Sequence, residues 1–101
     1  MAKIRILGIC GSMKPHSSTA FVLNYALEAA KESGAETEFY DICEHDLPFC
    51  DGRDDESTYP PQVHEFKKLI RSSQGIIIAT PEYHNSFTGS LKNALDLCSS
   101  E

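Results

Sequence analysis

Two short segments of this 101-residue chain concentrate side chains able to hold a ligand. The first, Gly11–Ser18, offers Ser12, Lys14, His16, Ser17 and Ser18, with Thr19 following. Hydroxyls, one cation and the free N–H groups of a helix start suit a phosphate monoester, because the positive helix end attracts the anion while N–H and O–H groups donate to its oxygens. The segment is neither GxGxxG nor GxxxxGK[ST], so the usual dinucleotide and triphosphate fingerprints are absent. Alone, it reads equally as a serine-rich turn with an N-cap. The second segment, Pro81–Thr88 (PEYHNSFT), sets the planar side chains of Tyr83 and His84 beside Asn85 and Ser86. Planar groups with flanking amides suit a flat heteroaromatic ring. Taken singly, Tyr83 reads as a packing residue and His84 as a solvated loop residue.

Periodicity supplies the elements that must position these segments. Lys3–Cys10 (KIRILGIC) reads as a buried strand ending at Gly11-Ser12. A helix starts near Thr19, with Ser17 or Ser18 as N-cap. Ala20, Leu23, Leu27 and Ala30 form its buried stripe, and Gly34 is the left-handed residue that stops it. Glu36–Ile42 is a second strand, with the mixed charged and aromatic character of an edge. Cys43–Tyr59 reads as a long surface loop. Pro60-Pro61 opens a second helix with a stripe of Val63, Phe66, Leu69 and Ile70. Gly75–Thr80 (GIIIAT) reads as a parallel strand covered on both faces. Gly89–Cys98 is a third helix, with Leu91, Ala94, Leu95 and Cys98 facing inward. This β-α-β-α-β-α order predicts an α/β fold with an open parallel sheet. In flavodoxin-like strand order 2-1-3, the switch point lies between the first and third strands. The loops at its carboxyl end are the two segments above, and a flavin phosphate satisfies both.

The two segments, written out as Gly11-Ser12-x-Lys14-x-x-Ser17-x-Thr19 and Pro81-Glu82-Tyr83-His84-x-Ser86-x-x-Gly89-x-Leu91-Lys92-Asn93-Ala94-x-Asp96, resemble the NADPH-dependent FMN reductase family of flavodoxin-like proteins. The second motif is long and specific, and together they span most of the chain. The resemblance implies a protein that binds FMN and reduces it with NADPH or NADH, or passes the electrons to a small acceptor such as a quinone. It places Ser12, Lys14, Ser17 and Thr19 on the FMN phosphate, and Pro81, Glu82, Tyr83, His84 and Ser86 along the isoalloxazine. Gly89, Lys92 and Asn93 then shape the start of the following helix. Three positions depart from the family pattern. Lys14 stands where Arg is usual, giving a point charge in place of a bidentate fork; His84 stands where Asn is frequent, and Thr88 replaces a common Pro. The implied reaction needs no protein nucleophile, so no catalytic acid or base is named.

Composition narrows the alternatives. Nine basic against fifteen acidic residues leave a net charge of −6, which disfavours nucleic acid and anionic membrane as partners. The sequence shows no signal or membrane segment. Cysteines at 10, 43, 50 and 98 have no regular spacing, so reduced thiols and a cytoplasmic location are expected. Asp41 sits where a Rossmann domain places its ribose-binding acid, but GxGxxG is missing. Cys43, His45 and Cys50 match no zinc pattern, and Ser12, His84 and Asp96 lack a GxSxG elbow. A sheet ordered 2-1-3-4-5 needs two more strand–helix units. Residues 1–101 are therefore expected to form the N-terminal part of a single FMN-binding domain. Ile76–Ala79 would be an uncovered edge, completed by further chain, a strand-complementing chain or a homo-oligomer. The competing expectation is a non-catalytic flavin-binding or structural fragment.

Overall fold

The computed structural model describes residues 3–83 and 86–98. The described elements are β1 (Arg5–Cys10), α1 (Ser18–Glu32), β2 (Glu36–Asp41), α2 (Pro61–Arg71), β3 (Gly75–Ala79) and α3 (Gly89–Asp96). The strands form one parallel sheet, as the crossover pattern predicts, in the flavodoxin-like order β2-β1-β3. Arg5 to Cys10 pair in step with Glu36 to Asp41 on one side, and Ile6 to Cys10 with Gly75 to Ala79 on the other. Central β1 therefore carries the first loop at its own end and sets the second through its pairing with β3.

Alternation along β1 divides the core between two layers. Cys10 lies on the face packed by Leu23 and Leu27 of α1, together with Ile6, Phe39, Ile77 and Ala79. Leu7 and Ile9 point the other way, into a cluster with Tyr40, Ile42, Phe66, Leu91 and Ala94 under α2 and α3. Helix α1 starts at Ser17, whose Oγ accepts from the Ala20 N–H at 3.0 Å. Gly34, at φ +103°, follows the helix end in the left-handed conformation expected of it. In α2, Pro61 occupies the first turn, where its missing N–H removes no helical bond.

Three expectations are corrected. Strand β3 is not covered on both faces: Ile76 and Ile78 are each 44% exposed, because among the described residues the α2–α3 cluster does not extend over them. In α3, Leu95 faces outward and Leu97 is buried instead, joining Tyr59 and Val63 in a separate cluster. The helix meets the rest of the fold along positions 91, 94 and 97, and 95, about 100° around the axis from 94, falls at the edge of that face. Residues 43–59 are more than a surface loop. A 3-10 turn at Ile42–Glu44 leads into them and another lies at Glu56–Thr58; Tyr59 is buried, and Glu56 pairs with the buried Lys67 of α2 at 3.0 Å. Asp51 grips Arg53 at 2.7 and 3.0 Å, and the guanidinium lies 4.0 Å over the Tyr59 ring. Hydrogen bonding to Arg53 holds the Asp51 carboxyl well below the usual carboxylate range.

Tyr40 is 3% exposed, stacks on His45 at 4.1 Å and meets Phe66 at 4.6 Å. Its hydroxyl is buried with no hydrogen-bond partner among the described residues. Burial, reinforced by Cys98 and Glu65, pushes its pKa from 10.0 up to about 12. The folded-state value lies above the unfolded one, so this contribution to stability is complete below pH 10 and is lost as pH rises toward 12. Tyr40→Phe is expected to stabilise the fold by about 1 kcal/mol at neutral pH, by removing an unsatisfied buried hydroxyl. It should also flatten the alkaline loss of stability. Denaturant unfolding of both proteins at pH 7 and 11 checks this, and an unchanged alkaline loss in the variant counts against it.

Candidate functional site

The two ligand-suited loops are joined through one carbonyl. Thr88 Oγ1 donates to the Gly11 oxygen at 2.6 Å, and Ser90 Oγ donates to the same oxygen at 3.2 Å. Thr88 Oγ1 also accepts from the Leu91 N–H at 3.2 Å, capping α3, and the Thr88 N–H donates to Thr80 Oγ1 at 3.2 Å. The Gly11 N–H donates to the Ala79 oxygen at 2.8 Å. A Cβ on Gly11 would lie 3.1 Å from Leu91 Cβ and 3.3 Å from Thr80 Cβ, so the close approach of these segments favours glycine there.

In the first loop, Ser12 and Ser17 are buried. Ser12 Oγ accepts from the Lys14 N–H at 3.1 Å, and Ser17 Oγ caps α1. In both cases the serine is the acceptor, which leaves each hydroxyl proton available to a ligand. The Ser18 and Thr19 N–H groups belong to the first turn of α1 and have no helical acceptor. Lys14 is exposed and His16 turns the backbone at φ +55°. Hydroxyl protons, open amides and one cation thus share one loop, and this donor set fits a phosphate monoester. Thr19 borders a cavity of about 460 Å³ between the start of α1 and the Ile78–Thr80 end of β3, at the switch point. A cavity of about 560 Å³ at the opposite end of the sheet, beside Lys3 and Gly34, touches neither loop.

In the second loop, Tyr83 and Ser86 exchange backbone bonds of 3.0 Å in each direction. Tyr83 does not pack into the core: its ring is exposed, as are Glu82 and Ser86, while Pro81 is half-buried. His84 lies outside the described residues, as does Asn85. Among the residues assigned to the α3 start, Lys92 forms an exposed pair with Asp96 at 2.6 Å. Asn93 turns away from the two loops and clasps the β2–α2 segment, donating to the Pro48 oxygen at 2.9 Å and accepting from the Cys50 N–H at 2.8 Å. The weak zinc candidates are held apart in role: His45 stacks on Tyr40, and Cys50 Sγ lies 3.8 Å from the Asp96 oxygen. Burial, then Asp41 and Glu44, raise the Cys43 thiol pKa, the reverse of what a thiolate ligand needs.

Thr88 and Ser90 escape a reading of the sequence. The helix-capping position of Thr88 is visible as a Thr just before the α3 pattern, but its second bond depends on Gly11 being adjacent in space.

The NADPH-dependent FMN reductase family matches residues 4–101. An NAD(P)H:quinone oxidoreductase of Solanum tuberosum is 41% identical over 99 residues, covering 95% of this chain and 50% of that protein. An NADPH azoreductase of a Bacillus species is 31% identical over 97 residues, covering 96% and 51%. Among solved structures, an NADH:FMN oxidoreductase aligns at TM-score 0.71 and 30% identity over 94% of this chain and 50% of that one. The flavoenzyme NAD(P)H:(acceptor) oxidoreductase FerB of Paracoccus denitrificans aligns at TM-score 0.74 and 27% identity over 93% and 50%. The fold is therefore α/β and flavodoxin-like, and the chain belongs to the NADPH-dependent FMN reductase family. It spans about half the length of these curated relatives.

Because one hydroxyl both caps α3 and joins the loops, Thr88→Ala is expected to cost about 2 kcal/mol in denaturant unfolding. Thr88→Ser should recover most of that loss. Equal stability of the Ala variant and the parent chain counts against the assigned role.

Proposed function

We propose that this chain forms the FMN-binding part of an NAD(P)H-dependent oxidoreductase that delivers electrons to a small acceptor of the quinone type. The observation that carries the reading is the pairing of a phosphate-suited loop with an exposed aromatic turn through the Gly11 carbonyl. In this reading Ser12 and Ser17 donate their hydroxyl protons to the FMN phosphate, while the Thr19 amide and Lys14 complete its neutralisation. Pro81, Glu82, Tyr83, His84 and Ser86 form the edge against which the flavin ring rests. Bound FMN would supply hydride acceptance from NADPH or NADH and onward electron transfer. The protein's part is to bind, orient and shield. The names of the relatives, which include quinone, azo and FMN reductases, support the same class of reaction.

The domain is completed, in this proposal, by two further strand–helix units beyond β3, supplied by continuing chain, a second copy or another chain. Exposed Ile76 and Ile78 on an unpaired edge support it. Cysteines at 10, 43, 50 and 98, with no regular spacing, fit a reducing compartment such as the cytoplasm. No described helix is long and apolar enough to cross a membrane. The same open edge favours a second reading, in which the isolated chain binds flavin without turning over.

Titration with FMN, followed by the visible spectrum and by quenching of flavin fluorescence, tests binding. NAD(P)H oxidation in the presence of flavin tests turnover. Lys14→Ala is expected to weaken FMN about tenfold and leave riboflavin, which lacks the phosphate, unchanged. Equal loss for both ligands removes the phosphate-loop assignment, and binding without turnover leaves the second reading. Native intact mass is expected to show a longer polypeptide or a bound partner chain; a stable lone monomer of 101 residues argues against the completed sheet.

A further inference from the structure

Helix α1 buries one side and leaves an aromatic pair on the other. Leu23 and Leu27 pack on the sheet, whereas Phe21 and Tyr25 are 73% and 76% exposed. Each stands two residues from Leu23, about 160° around the helix axis from it. The two rings therefore look away from the sheet, one turn apart on the same face. This position separates them from the surface that completes the domain. Val22 borders the cleft at the Ile78–Thr80 end of β3, so a helix laid on the sheet beyond β3 meets α1 along that flank. The outward face lies beyond its reach and is covered only by a body outside the domain.

We infer that this face of α1 is a contact between two copies of the chain, packed antiparallel about a two-fold axis level with Leu23. In such an isologous contact residue i meets residue j and j meets i. Phe21 of each copy then meets Tyr25 of the other, so one exposed pair of rings yields two aromatic contacts. The same symmetry brings Glu28, five residues past the axis, level with Ser18, five before it. Ser18 opens the helix, where the dipole is positive and no acidic residue occupies the first turn. An acid of each copy thus lies beside the positive end of the other. A parallel pairing would instead set Glu28 against Glu28 and Glu32 against Glu32, like charge on like. An anionic membrane does not fit, because these two acids flank the rings and the chain carries a net charge of −6. Two rings offer about 300–500 Å², less than the roughly 800 Å² per partner of a stable complex. The contact is therefore weak, with a Kd of about 100 µM, and it is independent of the flavin reading.

Sedimentation equilibrium of the whole chain, from about 10 µM to about 1 mM, is expected to show a monomer–dimer equilibrium. Tyr25→Glu should weaken the dimer at least about tenfold, since both symmetric ring contacts are lost together. The side chain is exposed, so the variant keeps the fold, and circular dichroism checks this. Glu28→Lys should weaken the dimer about threefold by meeting the positive end of the other helix, although it reduces the net negative charge that keeps two chains apart. Ile76→Lys, on the open edge of β3, should leave the dimer unchanged. A chain that stays monomeric throughout overturns the inference. So does a dimer that survives Tyr25→Glu and is lost with Ile76→Lys, which moves the contact to the sheet edge. A dimer tightened by Glu28→Lys overturns the antiparallel arrangement.

Discussion

Everything that resembles a site in this protein hangs on the Gly11 carbonyl oxygen. It receives Thr88 Oγ1 at 2.6 Å and Ser90 Oγ at 3.2 Å, across a sequence separation that only the sheet can close. The bond from Thr88 is buried, so no water competes for it. Through it, the end of β1 sets where α3 begins, and the first turn of α3 in turn positions Ser90 against the same atom. The absence of a side chain at Gly11 is part of the same constraint, since Leu91 and Thr80 already occupy the space a Cβ would need.

The strand order extends this local bond into an architecture. Because β1 is central, the loops after β1 and β3 emerge side by side, while α1 leaves on one face of the sheet and α3 on the other. That divergence opens the crevice between Thr19 and Thr80. The segment from Cys43 to Tyr59 closes the arrangement from the side of β2. It is tied to α2 by Lys67 and Glu56, and by Gln62 to the Asp46 oxygen, and to α3 by Asn93.

Much of this was legible in the chain itself. The apolar run at Lys3–Cys10, the Ala20–Leu23–Leu27 stripe and the Pro-opened second helix each express a period that does not depend on distant partners. The parallel sheet followed from the alternation of strands with helices, and the order 2-1-3 from the flavodoxin-like pattern that the chain resembles. What stayed hidden depended on contacts between remote segments. An Ile-rich strand reads the same whether its faces are covered or not, so the exposure of Ile76 and Ile78 required knowing where α2 and α3 end. Leu95 and Leu97 are equivalent in composition, and only the position of Tyr59 and Val63 decides which is buried. The candidate phosphate loop was visible because helix caps and hydroxyls are local; the clasp by Asn93 on Pro48 and Cys50 spans more than forty residues and left no local trace.

The central place of β1 also sets a timetable. Of the three described strands it is made first, and each of the other two pairs directly with it rather than waiting for an intermediate neighbour. Domains commonly begin to fold during synthesis from their N-terminal end, at chain growth of about 5–20 residues per second. Here β2 can dock as soon as α1 has emerged, and β3 can then add to the opposite edge without rearranging what exists. The nascent sheet grows outward from a finished centre. Among the described strands both outer edges carry unpaired backbone, and the later of them, β3, bears the two half-exposed isoleucines.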